Sequence, residues 1–202
     1  MTDLSKGKMP IHRMAVVVQE LLAGHISKGD QVMDGTMGNG YDTLFLWQQV
    51  QPEGCVTAFD LQAEALETTR FRLIAAGWSG DPHTLRLIQD NHSRLADYVQ
   101  KPLKAVMFNL GYLPGSDKTT VTQWHDLKQS LEALRNDYLL LPGGIISVIS
   151  YSGHSGGQEE QQQLLAYAEC LPSEKWAVMV MRRINASLSA PVMVLIQKKP
   201  DE

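Results

Sequence analysis

Trp176-Ala177-Val178-Met179-Val180-Met181-Arg182-Arg183-Ile184-Asn185-Ala186-Ser187-Leu188-Ser189-Ala190-Pro191-Val192-Met193-Val194-Leu195-Ile196-Gln197 is the stretch that decides the fold. It holds two apolar runs, 176–184 and 192–197, each rich in the residues that favour extended chain. Residues 185–191 alone separate them. A crossover between parallel strands needs about a dozen residues or more, so these two strands must be antiparallel.

Upstream the pattern differs. Strands are expected over 31–34, 56–60, 84–89, 105–109 and 145–151, and helices over 43–50, 64–76, 93–99, 121–140 and 159–171. Strands spaced by helical segments indicate βαβ units and a parallel sheet covered on both faces. An N-terminal helix is read over about 11–27, where Met14, Val17, Val18, Leu21 and Leu22 recur at helical spacing. The expectation is one domain over 1–202, a three-layer α/β/α Rossmann-like fold. Its seven-stranded sheet is mostly parallel and ends in a C-terminal antiparallel hairpin.

The composition agrees with a folded chain: 202 residues, 44% hydrophobic and 20% charged. No apolar run approaches the roughly 18–20 residues that cross a bilayer, and the start lacks a signal-like stretch, so a cytoplasmic protein without a membrane partner is expected. Two cysteines, Cys55 and Cys170, are too few for a disulfide scaffold or a cysteine-rich zinc module. Histidines and acids at metal spacing are also absent, so no metal is expected. With 18 basic and 22 acidic residues and a net charge of −4, the chain lacks the global basic excess of a non-specific nucleic-acid binder. A local basic patch remains open.

Where the first strand turns into a helix the sequence reads Asp34-Gly35-Thr36-Met37-Gly38-Asn39-Gly40. Glycines there let a ligand approach the backbone, and the helix N-terminus favours polar groups. The dinucleotide fingerprint would meet Thr43 at its third glycine. An acid followed by spaced glycines, Asp34, Gly38 and Gly40, is instead similar to the cofactor loop of class I methyltransferases, with Thr36 in place of its first glycine. Twenty residues past Gly40, Asp60 ends the second strand, where a carboxylate can accept both ribose hydroxyls. Gln89-Asp90-Asn91-His92-Ser93 closes the third strand, positioned to meet an adenine; Asn91 or Ser93 could equally cap a helix there, and His92 could be a structural hydrogen-bonding residue.

The fourth strand ends in Asn109-Leu110-Gly111-Tyr112-Leu113-Pro114. This resembles the Asn-Pro-Pro-Tyr loop of amino-group methyltransferases, with Leu110-Gly111 in place of the two prolines. Methyl transfer is an in-line displacement, so catalysis is mainly positioning. The Asn109 amide oxygen and the Leu110 carbonyl can accept hydrogens from a nitrogen nucleophile, and Tyr112 can stack on a ring. A rival motif, Gly153-His154-Ser155-Gly156-Gly157, matches the G-x-S-x-G nucleophile elbow. No histidine follows Ser155, so the hydrolase triad cannot be assembled in its usual chain order. Ser155 with Gln158 three residues on reads as a capping box.

Residues 34–43, Ala58-Phe59-Asp60-Leu61-Gln62, residues 109–118 and Tyr151-Ser152-Gly153-His154-Ser155-Gly156-Gly157 together resemble the YtqB-like rRNA methylase family, over about residues 14–198. Four positions depart from the family's usual residues: Gly35 for alanine, Asn91 for serine, Ser116 for glycine and Ala190-Pro191 for two prolines. The resemblance implies S-adenosyl-L-methionine as cofactor, with Asn39, Asp60, Gln62, Asn91 and His92 as its contacts; Asp34, Gly38 and Gly40 of the glycine loop, and Asp42 after it, are further candidates. It implies Asn109 and Tyr112 as catalytic residues, with Leu110, Gly111, Leu113, Lys118 and His154 on the substrate. The substrate it implies is the aminomethyl group of 5-aminomethyl-uridine at the tRNA wobble position, reached through the anticodon region. A homodimer is one assembly open to it. A small-molecule N-methyltransferase, favoured by the acidic pI of about 5.9, is the alternative reading. A non-catalytic RNA-binding domain of the same fold is a third.

Overall fold

The structure is a computed structural model and describes residues 10–110, 123–135, 139–153, 156–187 and 189–200. Seven strands, β1 Gln31–Asp34, β2 Cys55–Asp60, β3 Leu85–Gln89, β4 Leu103–Asn109, β5 Leu140–Ser150, β6 Trp176–Arg182 and β7 Val192–Lys198, form one sheet in the order β3-β2-β1-β4-β5-β7-β6. The first five run parallel, and β7 lies antiparallel between β5 and β6. The short link is thus a hairpin, as its length requires.

Alternation along the strands builds two cores. Val32, Val56, Ala58, Ala105, Met107, Ile149 and Met193 face helices α1 Met14–Ala23, α2 Tyr41–Val50 and α3 Ala63–Ala75. Met33, Phe59, Val106, Phe108, Val148 and Val194 face helices α4 Trp124–Leu134 and α5 Gly157–Glu169, together with Leu95 of a 3-10 turn over His92–Asp97. Near-continuous apolar strands are what a sheet covered on both faces demands.

Several boundaries differ from the sequence expectation. The N-terminal helix expected over about 11–27 spans Met14–Ala23, with Gly24 as its C-cap, and β6 ends at Arg182 rather than 184. Three further boundaries differ as well. Leu140 belongs to β5, not to the preceding helix, because it pairs with Leu103 ahead of a register shift, and Gly143 at φ +76° makes the irregular backbone. Pro142 inside that stretch could not continue a helix. His92–Asp97 forms a 3-10 turn, kinked at Arg94, where the sequence pattern predicts an α-helix over 93–99. The N-cap of α5 is Gly156, at φ +80°, rather than Ser155, because a residue without Cβ takes the left-handed turn that launches the helix. Ser155 itself lies outside the described residues.

Candidate active site

The strand order reverses between β1 and β4, and ligands in open α/β sheets bind at the carboxyl ends beside such a switch point. The backbone there is tied across the gap: Gly35 N–H donates to Met107 O at 2.8 Å and Asn109 N–H to Thr36 Oγ1 at 2.7 Å. Thr36, the residue that replaces the usual first glycine, is therefore the clamp between the two strand ends. A Cβ on residue 35 would stand 2.2 Å from Phe108 Cε1, so this ring excludes even alanine without shifting.

The glycine loop is held from α3. Thr69 Oγ1 donates to Gly38 O at 3.1 Å, and Arg72 Nε to Asn39 O at 2.6 Å while its guanidinium lies 3.7 Å from the Tyr41 ring centre. Gly40, at φ +77°, caps α2, and a Cβ there would meet Thr69. At the end of β2 the Asp60 carboxylate accepts Gly38 N–H and Gln62 N–H, each at 3.0 Å, which fixes it beside the loop. A carboxylate oxygen has further acceptor sites beyond these bonds.

Behind the loop stand two buried acids. Asp34 accepts Thr43 Oγ1–H at 2.6 Å and Thr36 N–H at 3.1 Å. Burial first, and the neighbouring Asp42 charge second, push its pKa up to about 7 despite those bonds. Asp42 accepts Gln19 Nε2–H at 2.7 Å and lies 3.5 Å from Asn109 Nδ2. Burial raises its pKa too, against the pull of the Gln19 and Asn109 contacts. A carboxylate can only accept, so the Asn109 amide turns its nitrogen to Asp42 and leaves its oxygen as an acceptor. Tyr151, beyond β5, has its phenol pKa raised by burial and by the Asp42 charge, which places it on the same side. Gln19, Thr36, Thr43 and Tyr151 were not singled out from the sequence as site residues. Thr36 gave a signal as a break in the glycine pattern, and Thr43 and Tyr151 lie in stretches that carry the family resemblance; Gln19 gave none.

At the end of β3, Asn91 Oδ1 accepts Ser93 N–H at 2.9 Å, capping the 3-10 turn, and its Nδ2 donates to Asp126 at 2.8 Å. His92 is buried, with Nδ1 2.7 Å from Ser130 Oγ. The Ser130 hydroxyl donates to Asp126 O at 3.0 Å, so Nδ1 carries the ring hydrogen and Nε2 is the acceptor. Burial lowers the His92 pKa to about 4, so the ring is neutral at physiological pH.

The structure thus brings together Asp34, Gly38, Asn39, Gly40, Asp42, Asp60, Gln62 and Asn109 at the β1–β4 opening, with Asn91 and His92 at the end of β3. Leu110 is buried and donates to Ile149 O at 2.8 Å. Gly111, Tyr112, Leu113, Lys118 and His154 lie outside the described residues. Among the described residues, no cluster of histidine, cysteine or acid could hold a metal ion, and no helix is long and apolar enough to cross a membrane.

The donor set suits S-adenosyl-L-methionine: a fixed carboxylate at the end of β2 with acceptor capacity for hydroxyls, an open glycine turn, and two buried acids, Asp34 and Asp42, behind that turn. With the sheet order, this defines an S-adenosylmethionine-dependent methyltransferase of class I fold. The chain belongs to the family described as "Putative rRNA methylase", which matches residues 56–197. It is 36% identical over 200 residues to the tRNA (mnm(5)s(2)U34)-methyltransferase, chloroplastic, of Arabidopsis thaliana, covering 96% of this chain and 71% of that protein. It is 35% identical to a protein of Clostridium thermocellum described as a "putative rRNA-methylase", whose crystal structure superposes with a TM-score of 0.85 over 90% of this chain and 95% of that one. A protein of Streptococcus mutans described as a "putative methyltransferase", solved in complex with SAH, is 30% identical, with a TM-score of 0.81 and coverage of 96% and 99%.

Proposed function

We propose that this chain methylates the exocyclic amine of a 5-aminomethyl-uridine at the tRNA wobble position. The observation that carries the reading is Asn109, placed across the switch point from Asp34 with its nitrogen turned to Asp42 and its amide oxygen left to orient an amine. The name of the Arabidopsis relative supports the nucleoside.

S-adenosyl-L-methionine supplies an electrophilic methyl on a sulfonium. In this reading Asp60 accepts the ribose hydroxyls, with Gln62 beside it, while Gly38, Asn39 and Gly40 give close backbone approach. Asp34 and Asp42 complement the positive amino-acid end. Asn91 and His92 border the adenine, His92 Nε2 serving as an acceptor. On the substrate side, Asn109 and the Leu110 carbonyl aim the amine, Tyr112 stacks on the base, and Gly111, Leu113, Lys118 and His154 complete the contact. An alkyl amine is mostly protonated near neutral pH, with a reference pKa of about 10.4 for lysine, and has no lone pair until it loses that proton. Acceptors that orient the neutral amine therefore act in the transition state.

Single-turnover kinetics on tRNA carrying 5-aminomethyl-uridine test this. Asn109→Ala should slow methyl transfer strongly while cofactor affinity changes little. A near-normal rate, or affinity that collapses along with the rate, refutes the assignment. Transfer to a free small amine but not to tRNA would favour the small-molecule reading.

A further inference from the structure

The hairpin that decides the fold also redistributes charge. Residues 175–200 contain five basic residues and no acid, whereas the rest of the chain has 13 basic against 22 acidic residues. Strand direction separates those five. Because β7 is antiparallel to both β5 and β6, β6 again runs with β1–β5, and its carboxyl end returns to the site edge. Lys198 pairs with Trp176 at the opposite edge, where its Nζ donates to Leu140 O at 3.2 Å; Lys175 and Lys199 are its chain neighbours there. Arg182 and Arg183 alone of the five stand at the site edge.

Their distance from the reacting centre follows from the register. Asn109 pairs with Ile149, and Ser150 pairs with Val192, which pairs with Arg182. Three strand spacings put Arg182 about 14 Å from the Asn109 strand end. Both arginines are exposed, and among the described residues neither has an ion pair. Ile184, which follows them, is 92% exposed. Gly153, after β5, lies beside Ser189 of the hairpin loop, where an added Cβ would sit 3.7 Å from Ser189 Cβ. Two exposed arginines without an ion pair among the described residues, one at the end of β6 and one just past it, set back from the nucleophile, suit a polyanion that extends well beyond its reacting nucleotide.

We propose that Arg182 and Arg183 form an RNA-docking edge, gripping backbone phosphates of the substrate on the far side of β5 and β7 from the methyl-transfer centre. The inference rests on the tRNA reading and deepens it. A small-molecule substrate would leave this edge without a role.

The test compares wild type with Arg182→Gln/Arg183→Gln and with Arg183→Gln alone, which lies beyond β6. Lys199→Gln at the opposite edge is the control. Binding and methylation of 5-aminomethyl-uridine tRNA are measured between 50 and 200 mM salt, beside methylation of the free nucleoside. Each single-strand phosphate contact contributes a slope of about −0.7 in log K against log salt, so the double variant should lose about 1.4 of slope and roughly 25-fold in tRNA KM near 0.1 M salt. Its kcat, cofactor affinity and nucleoside methylation should match wild type, and Arg183→Gln should show about half the loss of slope. Wild-type action on tRNA with unchanged KM and slope in the double variant overturns the docking edge alone. A change in oligomeric state that accounts for the loss reassigns the arginines to self-association and also overturns it. Wild type that neither binds nor methylates tRNA refutes the underlying reading and takes this inference with it.

Discussion

Replacing Asp34 by asparagine should make the protein more stable and worse at its work. The Asp34 pKa stands at about 7, against an ordinary 3.8, because burial and the Asp42 charge disfavour the carboxylate. Its folded pKa is raised, so the folded state holds a proton that the unfolded chain has released across that window. Stability therefore falls as pH rises from about 4 to about 7, and the full penalty is present above it. At 1.36 kcal/mol per unit, the upper bound is roughly 4 kcal/mol, of which Asp42 carries part. Asparagine keeps both native bonds: its oxygen accepts Thr36 N–H, and its amide can donate to Thr43 Oγ1.

The assay is urea or thermal unfolding of both proteins between pH 5 and 8.5. Glu160, whose pKa burial raises to about 7, bends the wild-type curve the same way. His92, lowered to about 4, bends it oppositely, losing stability as pH falls from 6.5. Both are shared by the two proteins and cancel in the difference. The variant should already be about 1 kcal/mol ahead at pH 5, where part of the penalty is present, and about 2–4 kcal/mol ahead at pH 8, or roughly 5–15 °C in Tm for a chain of this size. A difference that does not change with pH, or a variant less stable at pH 8, refutes the argument.

Two further outcomes are expected. Asp60→Ala should weaken S-adenosylmethionine binding by about 1.5–3 kcal/mol for each ribose bond lost, read by calorimetry; equal affinities would remove Asp60 from the site. Gly35→Ala should cost about 1–3 kcal/mol in chemical denaturation through overpacking against Phe108, and Phe108→Leu in the same chain should recover part of it. Absence of that recovery would locate the strain elsewhere.

The hairpin was legible because a seven-residue link forbids a crossover, a constraint that needs no tertiary knowledge. The placement of the β1 glycine loop, Asp60 and Asn109 at strand ends was legible for a similar reason: the strand pattern itself fixes it. Leu140 was not, since Leu139-Leu140-Leu141 suits either a helix end or a strand, and only pairing with Leu103 decides it. Gln19 was hidden among helical residues, because its contact with Asp42 spans 23 positions. Nothing local marks the insertion of β7 between β5 and β6, although that insertion is what brings Arg182 to the site edge. Placement along the chain was readable, and registration across the sheet was not.

The buried pair Asp34 and Asp42 also bears on how the site tells donor from product. Both cofactor forms carry an amino-acid end, but only S-adenosylmethionine adds a sulfonium charge. The acids lie behind the glycine loop, and a unit charge roughly 8 Å from a carboxylate at an effective dielectric of 20 is worth on the order of 2 kcal/mol. Below pH 7 Asp34 is protonated, and the bound cation must displace that proton; above pH 7 the charge is already present. The preference for S-adenosylmethionine over S-adenosylhomocysteine should therefore widen, by up to about tenfold, as pH rises from 6 to 8. Titrating each by calorimetry across that range reads the ratio directly, and Asp34→Asn should flatten it. A ratio independent of pH in wild type would mean that the buried acids do not sense the sulfonium, and that their raised pKa values serve the protein in some other way than by favouring the methyl donor.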